Sequence, residues 1–422
     1  MASIFKIKDI NNYYTSSPTP GKITLMAGKP NLSTELLDSN LCKQIRDCGF
    51  NAVGATLTMS AIDESLKNCY NNRLSLFIKN NYLTENPKDF ILRTKDKNGF
   101  GGWILDYAVN NENINSLKEI YKSIITANLV DSKSDKLYNP IYLAFSGDWN
   151  YDSANKSQSY TEFIERFQES FSPSFWPMIY FPEIVKSNDP NLIKSRIVNF
   201  YKSLQYMAYV SRYTAAPFWL VCRCQAFYNY YGFNAPPVSE NVLRGIVFTA
   251  LSYGVQGIYY WDYRNSYSSS QRFFNAPVNR DGDKTPTWDI VQKVNNEINA
   301  FNSVFNGCEM LDCRHVKPVD NDGYIRILSH PMGPLISVNN ATGNLLVSHI
   351  FTKKNDDEGT NYLIIVADPF SSISIDFELE FSNYWRIYEH IYIDKIHLTS
   401  SLLNYKFNSK LAPGAYRIFH WT

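Results

Sequence analysis

Up to about residue 305 the chain alternates two textures: short, unbroken apolar runs, and longer stretches whose apolar residues recur three or four apart. The runs at 23–27, 51–56, 74–78, 102–106, 141–145, 176–181, 217–224 and 257–261 predict strands buried on both faces. Between them the helical period is plain. Ile114, Leu117, Ile120, Tyr121 and Ile124 follow the fourth run, and Ile193, Ile197, Phe200, Tyr201, Leu204 and Val210 follow the sixth. Gly49 and Gly254 stand where two of these helices stop. Eight strand-helix pairs in sequence predict an α/β fold, a closed (β/α)8 TIM barrel. An open doubly wound sheet is the alternative, but no Gly-rich phosphate loop follows the first strand.

From Cys308 onward the helical period is lost. Alternating runs at 345–350, 362–367, 373–379, 385–388 and 415–420 predict an all-β module, a β-sandwich. The expected organisation is a barrel over 1–307 and a sandwich over 308–422, packed together because no low-complexity linker separates them.

Composition then narrows the function. Lys plus Arg number 41 against 40 Asp plus Glu, a formal charge of +1, and no basic run occurs, which argues against a nucleic-acid partner. No apolar stretch is long enough for a membrane span, and residues 1–20 lack the apolar segment of a signal peptide. The seven cysteines have no zinc-site spacing and read as buried thiols. Aromatic residues make up 15% of the chain, with 30 Tyr and 8 Trp, which suits stacking on sugar faces and equally suits a large core. All six histidines lie beyond residue 310. A Ser-His-Asp site, a histidine metal site or a histidine base is thereby excluded from the barrel, and acid/base work there falls to carboxylates, Tyr, Lys or Cys.

In parallel α/β folds the strand C-termini face the ligand. Those ends supply four acids, Asp106, Asp148, Glu183 and Asp262, flanked by Tyr107, Trp149, Tyr180, Gln225, Trp261 and Tyr263. Two carboxylates across a sugar-sized cleft are what glycosidic cleavage requires. Each acid also reads as a loop cap or a salt-bridge partner. Arg223 is expected inside the barrel mouth, where its guanidinium needs an acidic partner such as Asp106 or Asp262.

Gly101-Gly102-Trp103-Ile104-Leu105-Asp106, Pro217-Phe218-Trp219 and the stretch from Leu243 to Tyr263 resemble the barrels of clan A glycoside hydrolases, more closely the β-galactosidase-like barrels of polysaccharide-degrading gut bacteria. The trailing module, ending Leu411-Ala412-Pro413-Gly414, is similar to the sandwich that follows such barrels. The resemblance implies an oligo- or polysaccharide ligand in the barrel mouth, hydrolysis without metal or organic cofactor, and a secreted, periplasmic or cell-surface home. If the chain is active, Asp106 and Asp262 or Glu183 are expected to share the acid/base and nucleophile work, although Asp262 stands where such barrels commonly have an uncharged residue.

The departures from that pattern are specific. Strand four in such barrels ends Asp-Glu-Pro, with the Glu as acid/base, whereas this chain has Asp106, Tyr107 and Ala108. Strand six has Met178-Ile179-Tyr180-Phe181-Pro182 without the aspartate that often precedes Tyr-Pro. Strand seven ends Cys222-Arg223-Cys224-Gln225, without a glutamate nucleophile. The alternative is therefore a carbohydrate-binding protein that keeps the fold and has lost the chemistry.

Overall fold

The computed structural model describes residues 22–30, 36–109, 113–129, 141–145, 160–171, 175–180, 190–214, 217–230, 233–265, 267–268, 271–319, 325–352, 359–393 and 396–422. In chain order the first part runs β1 (Thr24–Gly28), α1 (Ser39–Asp47), β2 (Ala52–Thr56), α2 (Ile62–Asn71), β3 (Ser75–Lys79), α3 (Tyr82–Glu85), α4 (Pro87–Thr94), β4 (Phe100–Val109), α5 (Ile114–Leu129), β5 (Ile141–Phe145), α6 (Tyr160–Phe171), β6 (Phe175–Tyr180) and α7 (Pro190–Thr214). It continues with β7 (Trp219–Arg223), β8 (Ala226–Tyr230), β9 (Phe233–Ala235), α8 (Glu240–Ser252), β10 (Gly257–Trp261), β11 (Tyr267–Ser268), β12 (Gln271–Phe274), α9 (Pro286–Ala300) and α10 (Asn302–Phe305).

Strands β1 to β7 and β10 close a parallel barrel in the order β1-β10-β7-β6-β5-β4-β3-β2. The helices start where the sequence supplies caps: Asp38 accepts from the Leu41 N–H at 2.8 Å, and Thr285 precedes Pro286 at the first position of α9. Helix α8 stops at Gly254, whose φ of 88° only glycine adopts without strain.

Alternate strand residues fill the barrel interior: Met26, Ala52, Phe77, Ile104, Tyr142, Trp219, Val221 and Tyr259 form one buried cluster. Rings dominate it. Tyr142 lies 4.8 Å from Phe77 edge-to-face and 4.6 Å from Trp219. Glycines make the room, since a Cβ on Gly28 would lie 2.4 Å from the Tyr259 ring and one on Gly257 only 2.3 Å from Trp219. The outward-facing residues join a second, larger core against the helices, including Leu220, Cys222, Ile258 and Tyr260.

The second part is all β: β13 (Cys308–Val316), β14 (Leu335–Asn339), β15 (Leu345–Thr352), β16 (Thr360–Ala367), β17 (Ile375–Phe381), β18 (Ile387–Ile393), β19 (Ile396–Ser401), β20 (Lys406–Leu411) and β21 (Tyr416–Trp421). A six-stranded sheet, β13-β15-β16-β21-β18-β19, faces a three-stranded sheet, β14-β17-β20. Leu345, Val347, Leu363, Ile365, Phe377, Leu379 and Phe419 pack between them, which makes a sandwich. The other face of the large sheet, with Leu346, Ile350, Ile364 and Ile418, belongs to the barrel's outer core. The expected packing of module on barrel is therefore continuous apolar contact, with Phe248 of α8 stacked on Tyr416 at 3.7 Å.

Two features at the barrel mouth differ from the sequence expectation. Strand β4 does not end at Asp106 but runs on to Val109, with irregular pairing to β5 on either side of Asp106. A four-stranded antiparallel sheet, β11-β12-β8-β9, grows from the barrel's C-terminal end, because β8 begins two residues beyond β7.

Candidate active site at the barrel mouth

The C-terminal ends of β1, β7 and β10 meet at one side of the mouth. Register pairs Trp261 with Arg223 and Tyr259 with Val221. Because Trp219, Val221 and Tyr259 point into the barrel, the two-residue alternation puts Arg223 and Trp261 on the same inner face, one step above them. Trp261 is half-buried on top of the interior cluster.

Asp262 follows through a cis peptide bond and is 1% exposed. The Lys29 ammonium, just past β1, lies 3.9 Å from its carboxylate and 5.3 Å from the centre of the Trp261 ring. Sequence reasoning passed over Lys29, whose place directly after the first apolar run was the one readable signal; in the structure it takes a positive φ of 44°. Arg223 donates from Nη1 to the Gln225 carbonyl and holds its guanidinium 5.0 Å from the Phe227 ring of β8. The guanidinium is thus braced against the small antiparallel sheet. Gln225 is fully buried, and neither its amide nitrogen nor its amide oxygen has a hydrogen-bond partner among the described residues. A buried amide in that state costs free energy unless something else satisfies it.

Thiol chemistry has no support here. Burial pushes the Cys222 thiol up to about 12 against a weaker opposing pull from Arg223. It raises Cys224 well above its ordinary range too, so neither offers a thiolate at neutral pH. Cys224 instead donates its S–H to the Asp262 main-chain carbonyl at 3.4 Å.

Of the residues expected at the site, Arg223, Gln225, Trp261 and Asp262 are brought together. Tyr263 is not part of the opening: it is fully buried, its hydroxyl donates to Gln44 and accepts from Trp288 at 3.2 Å, and its ring meets Phe50 edge-on at 5.6 Å. Burial, ahead of nearby Cys48, drives its phenol pKa upward, as expected of a packing residue wedged beneath α1 and α9. Asp106 is placed by its backbone, level with Leu143 of β5, and Tyr180 level with Val221 of β7. The side chains of Asp106, Tyr107 and Tyr180, and all of Asp148, Trp149 and Glu183, lie outside the described residues. All seven cysteines are free and buried.

No family model and no curated protein matches this sequence. Solved structures do. A putative alpha-galactosidase from Bacteroides fragilis aligns over 95% of this chain and 79% of its own, at 10% identity and a TM-score of 0.51. A beta-galactosidase from the psychrophilic Marinomonas ef1 aligns over 66% of this chain at 9% identity and a TM-score of 0.47, and the chain spans 60% of its length. Xylanase 10B from Thermotoga petrophila aligns over 70% of this chain and 98% of its own, at 10% identity and a TM-score of 0.41. The Bacteroides match, the one of these above 0.5, extends over barrel and sandwich together and shows a shared fold. Among the described residues no helix is long and apolar enough to cross a membrane.

Proposed function

We propose that this chain binds an oligo- or polysaccharide at the C-terminal mouth of its barrel. The observation that carries the reading is Trp261: an aromatic wall half-buried at the rim, next to Arg223 and Lys29, with the Asp262 carboxylate following it. Sugar recognition combines an apolar face for the C–H side of the ring with charged and amide groups for its hydroxyls, and these residues offer both.

Hydrolysis would need a second carboxyl group across the cleft, about 5 to 5.5 Å from the first for retention or about 6.5 to 9.5 Å for inversion. Asp106 on β4 and Glu183 after β6 are the proposed partners of Asp262. One would protonate the leaving oxygen while the other attacks the sugar or activates water.

A second reading, binding without cleavage, is favoured by Arg223. It occupies the inner face at the end of β7, where the resemblance places a glutamate nucleophile, and a guanidinium performs neither attack nor proton transfer.

The test is an oligosaccharide array, together with hydrolysis of nitrophenyl glycosides and polysaccharides, on the native chain and on Trp261→Ala, Asp262→Asn and Asp106→Asn. Glycan binding weakened at least tenfold by Trp261→Ala supports the site. Binding to no glycan overturns it. Cleavage abolished by Asp262→Asn or Asp106→Asn makes the chain a hydrolase, and retained binding without cleavage makes it a binder.

A further inference from the structure

Three of the six histidines meet in a line on the sandwich. His390, His397 and His420 come from β18, β19 and β21, which are neighbours in the order β21-β18-β19. Register pairs Tyr388 with His420 and Tyr392 with His397. His390, two residues from each tyrosine on the same face, therefore stands diagonally between the other two rings. Its Nδ1 lies 2.8 Å from His397 Nε2, and its Nε2 lies 2.7 Å from His420 Nδ1.

The two ends of this line differ. On the His397 side the ring of Phe301, at the end of α9, packs edge-on at 4.9 Å and closes the row. On the His420 side the row opens on a cavity of about 260 Å³ whose lining includes Thr360, Asn361, Tyr362, His390, His420 and Trp421. All three imidazoles are half-buried.

We propose that His390 Nε2 and His420 Nδ1 form a binding site for a late first-row divalent cation, with Zn²⁺ as its reference ion and His397 as the residue that positions His390. Imidazole nitrogen is a favoured ligand for zinc, copper and nickel. Two nitrogens on a tetrahedral zinc, each about 2.0 to 2.1 Å from the ion, sit about 3.3 Å apart, so the pair has to open by about 0.6 Å. The cavity holds the water molecules that complete the coordination.

Proton bookkeeping closes without net release. With the cation bound, the His390 hydrogen sits on Nδ1 and points at His397 Nε2, and the His420 hydrogen moves to its Nε2. A metal-bound imidazole is generally oriented by an acceptor on its other N–H, and His397 occupies that place. Among the described residues no three His, Cys, Asp or Glu side chains converge on one point. The site is accordingly a two-imidazole, water-completed one rather than a closed structural zinc centre.

The experiment is isothermal titration of the full chain with ZnCl₂ alone at neutral to slightly alkaline pH, beside His420→Gln, His390→Gln, His397→Gln and the remote His330→Gln. The expected result is a single equivalent bound by the native chain and by His330→Gln. Binding should be at least tenfold weaker in His420→Gln and His390→Gln, and about tenfold weaker in His397→Gln. Circular dichroism establishes which variants fold, and His420→Gln, at the half-buried rim, decides the matter if His390→Gln does not. No saturable Zn²⁺ binding by the native chain, or undiminished binding by folded His420→Gln, overturns the site.

Discussion

Acidification should loosen the seam between barrel and sandwich through His315, and the size of the effect follows from its surroundings. His315 lies on β13, fully buried. Its Nδ1 is 3.0 Å from Asn344 Oδ1 and its Nε2 is 3.0 Å from the Tyr253 hydroxyl. Asn344 turns its amide nitrogen toward Asp368, so its oxygen faces the imidazole and accepts from Nδ1–H, while Tyr253 donates to Nε2. Tyr201 of α7 closes the pocket edge-on at 4.6 Å. Every contact suits the neutral ring. Burial is the main reason its pKa falls from 6.5 to about 4, with the Asn344 hydrogen bond opposing.

Because the folded value is the lower one, the unfolded chain takes up the proton first as pH falls. The stabilising contribution is complete above pH 6.5 and shrinks toward pH 4. Linkage puts the loss at about 2 kcal/mol at pH 5 and about 3 kcal/mol at pH 4. His315→Gln retains an amide that can donate to Asn344 and accept from Tyr253, yet it does not titrate. Urea unfolding of both proteins between pH 7 and pH 4.5 isolates the term, since the remaining histidines cancel in the difference. The native chain should lose about 2 kcal/mol more than His315→Gln by pH 5. Parallel pH profiles would refute the reasoning.

Two further changes test the packing. Gly257→Ala drives a methyl group to within 2.3 Å of the Trp219 ring and should cost about 1 to 3 kcal/mol, with part returned by Trp219→Leu in the same chain; a thermal midpoint unmoved by Gly257→Ala would mean the barrel interior is looser than described. Arg244 grips Glu297 with Nε at 2.9 Å and Nη2 at 2.8 Å, and Glu297 is only 5% exposed. Arg244→Met leaves that carboxylate with the Tyr416 hydroxyl as its remaining hydrogen-bond donor. Denaturant titration should then show a loss of about 3 to 5 kcal/mol, reduced when Glu297→Gln removes the charge as well.

What the sequence made legible, and what it hid, follow one physical division. A parallel barrel strand is buried on both faces, so burial writes it into the chain as an unbroken apolar run, and β5 and β10 are found at the residues expected of them. The antiparallel sheet beyond β7 has no such signature. Phe227 and Tyr228 of β8 pair with Phe273 and Arg272 of β12, and Tyr230 pairs with Phe233 of β9, pairings that depend on segments meeting over the barrel rather than on any local period. β19 and β20 were hidden for the opposite reason, since exposed faces carry polar residues such as Thr399, Ser400, Asn408 and Lys410.

The site repeats the contrast at the scale of single residues. Trp261 and Tyr263 both flank the eighth strand end and looked equivalent. Tyr263, however, has left the strand: its N–H bonds to the Gly28 carbonyl at 2.7 Å and its ring goes into the core beneath the helices. Trp261 keeps strand register with Arg223 and stays at the rim. The histidine row is hidden more deeply. Residues 390, 397 and 420 carry no metal-site spacing, and only the diagonal register of three antiparallel strands puts their nitrogens within hydrogen-bonding distance. Reading the histidines by position keeps them out of the barrel's chemistry. It could say nothing of what they do to one another, because that is a property of register, and register is fixed by the pairing of sheets rather than by the spacing of residues.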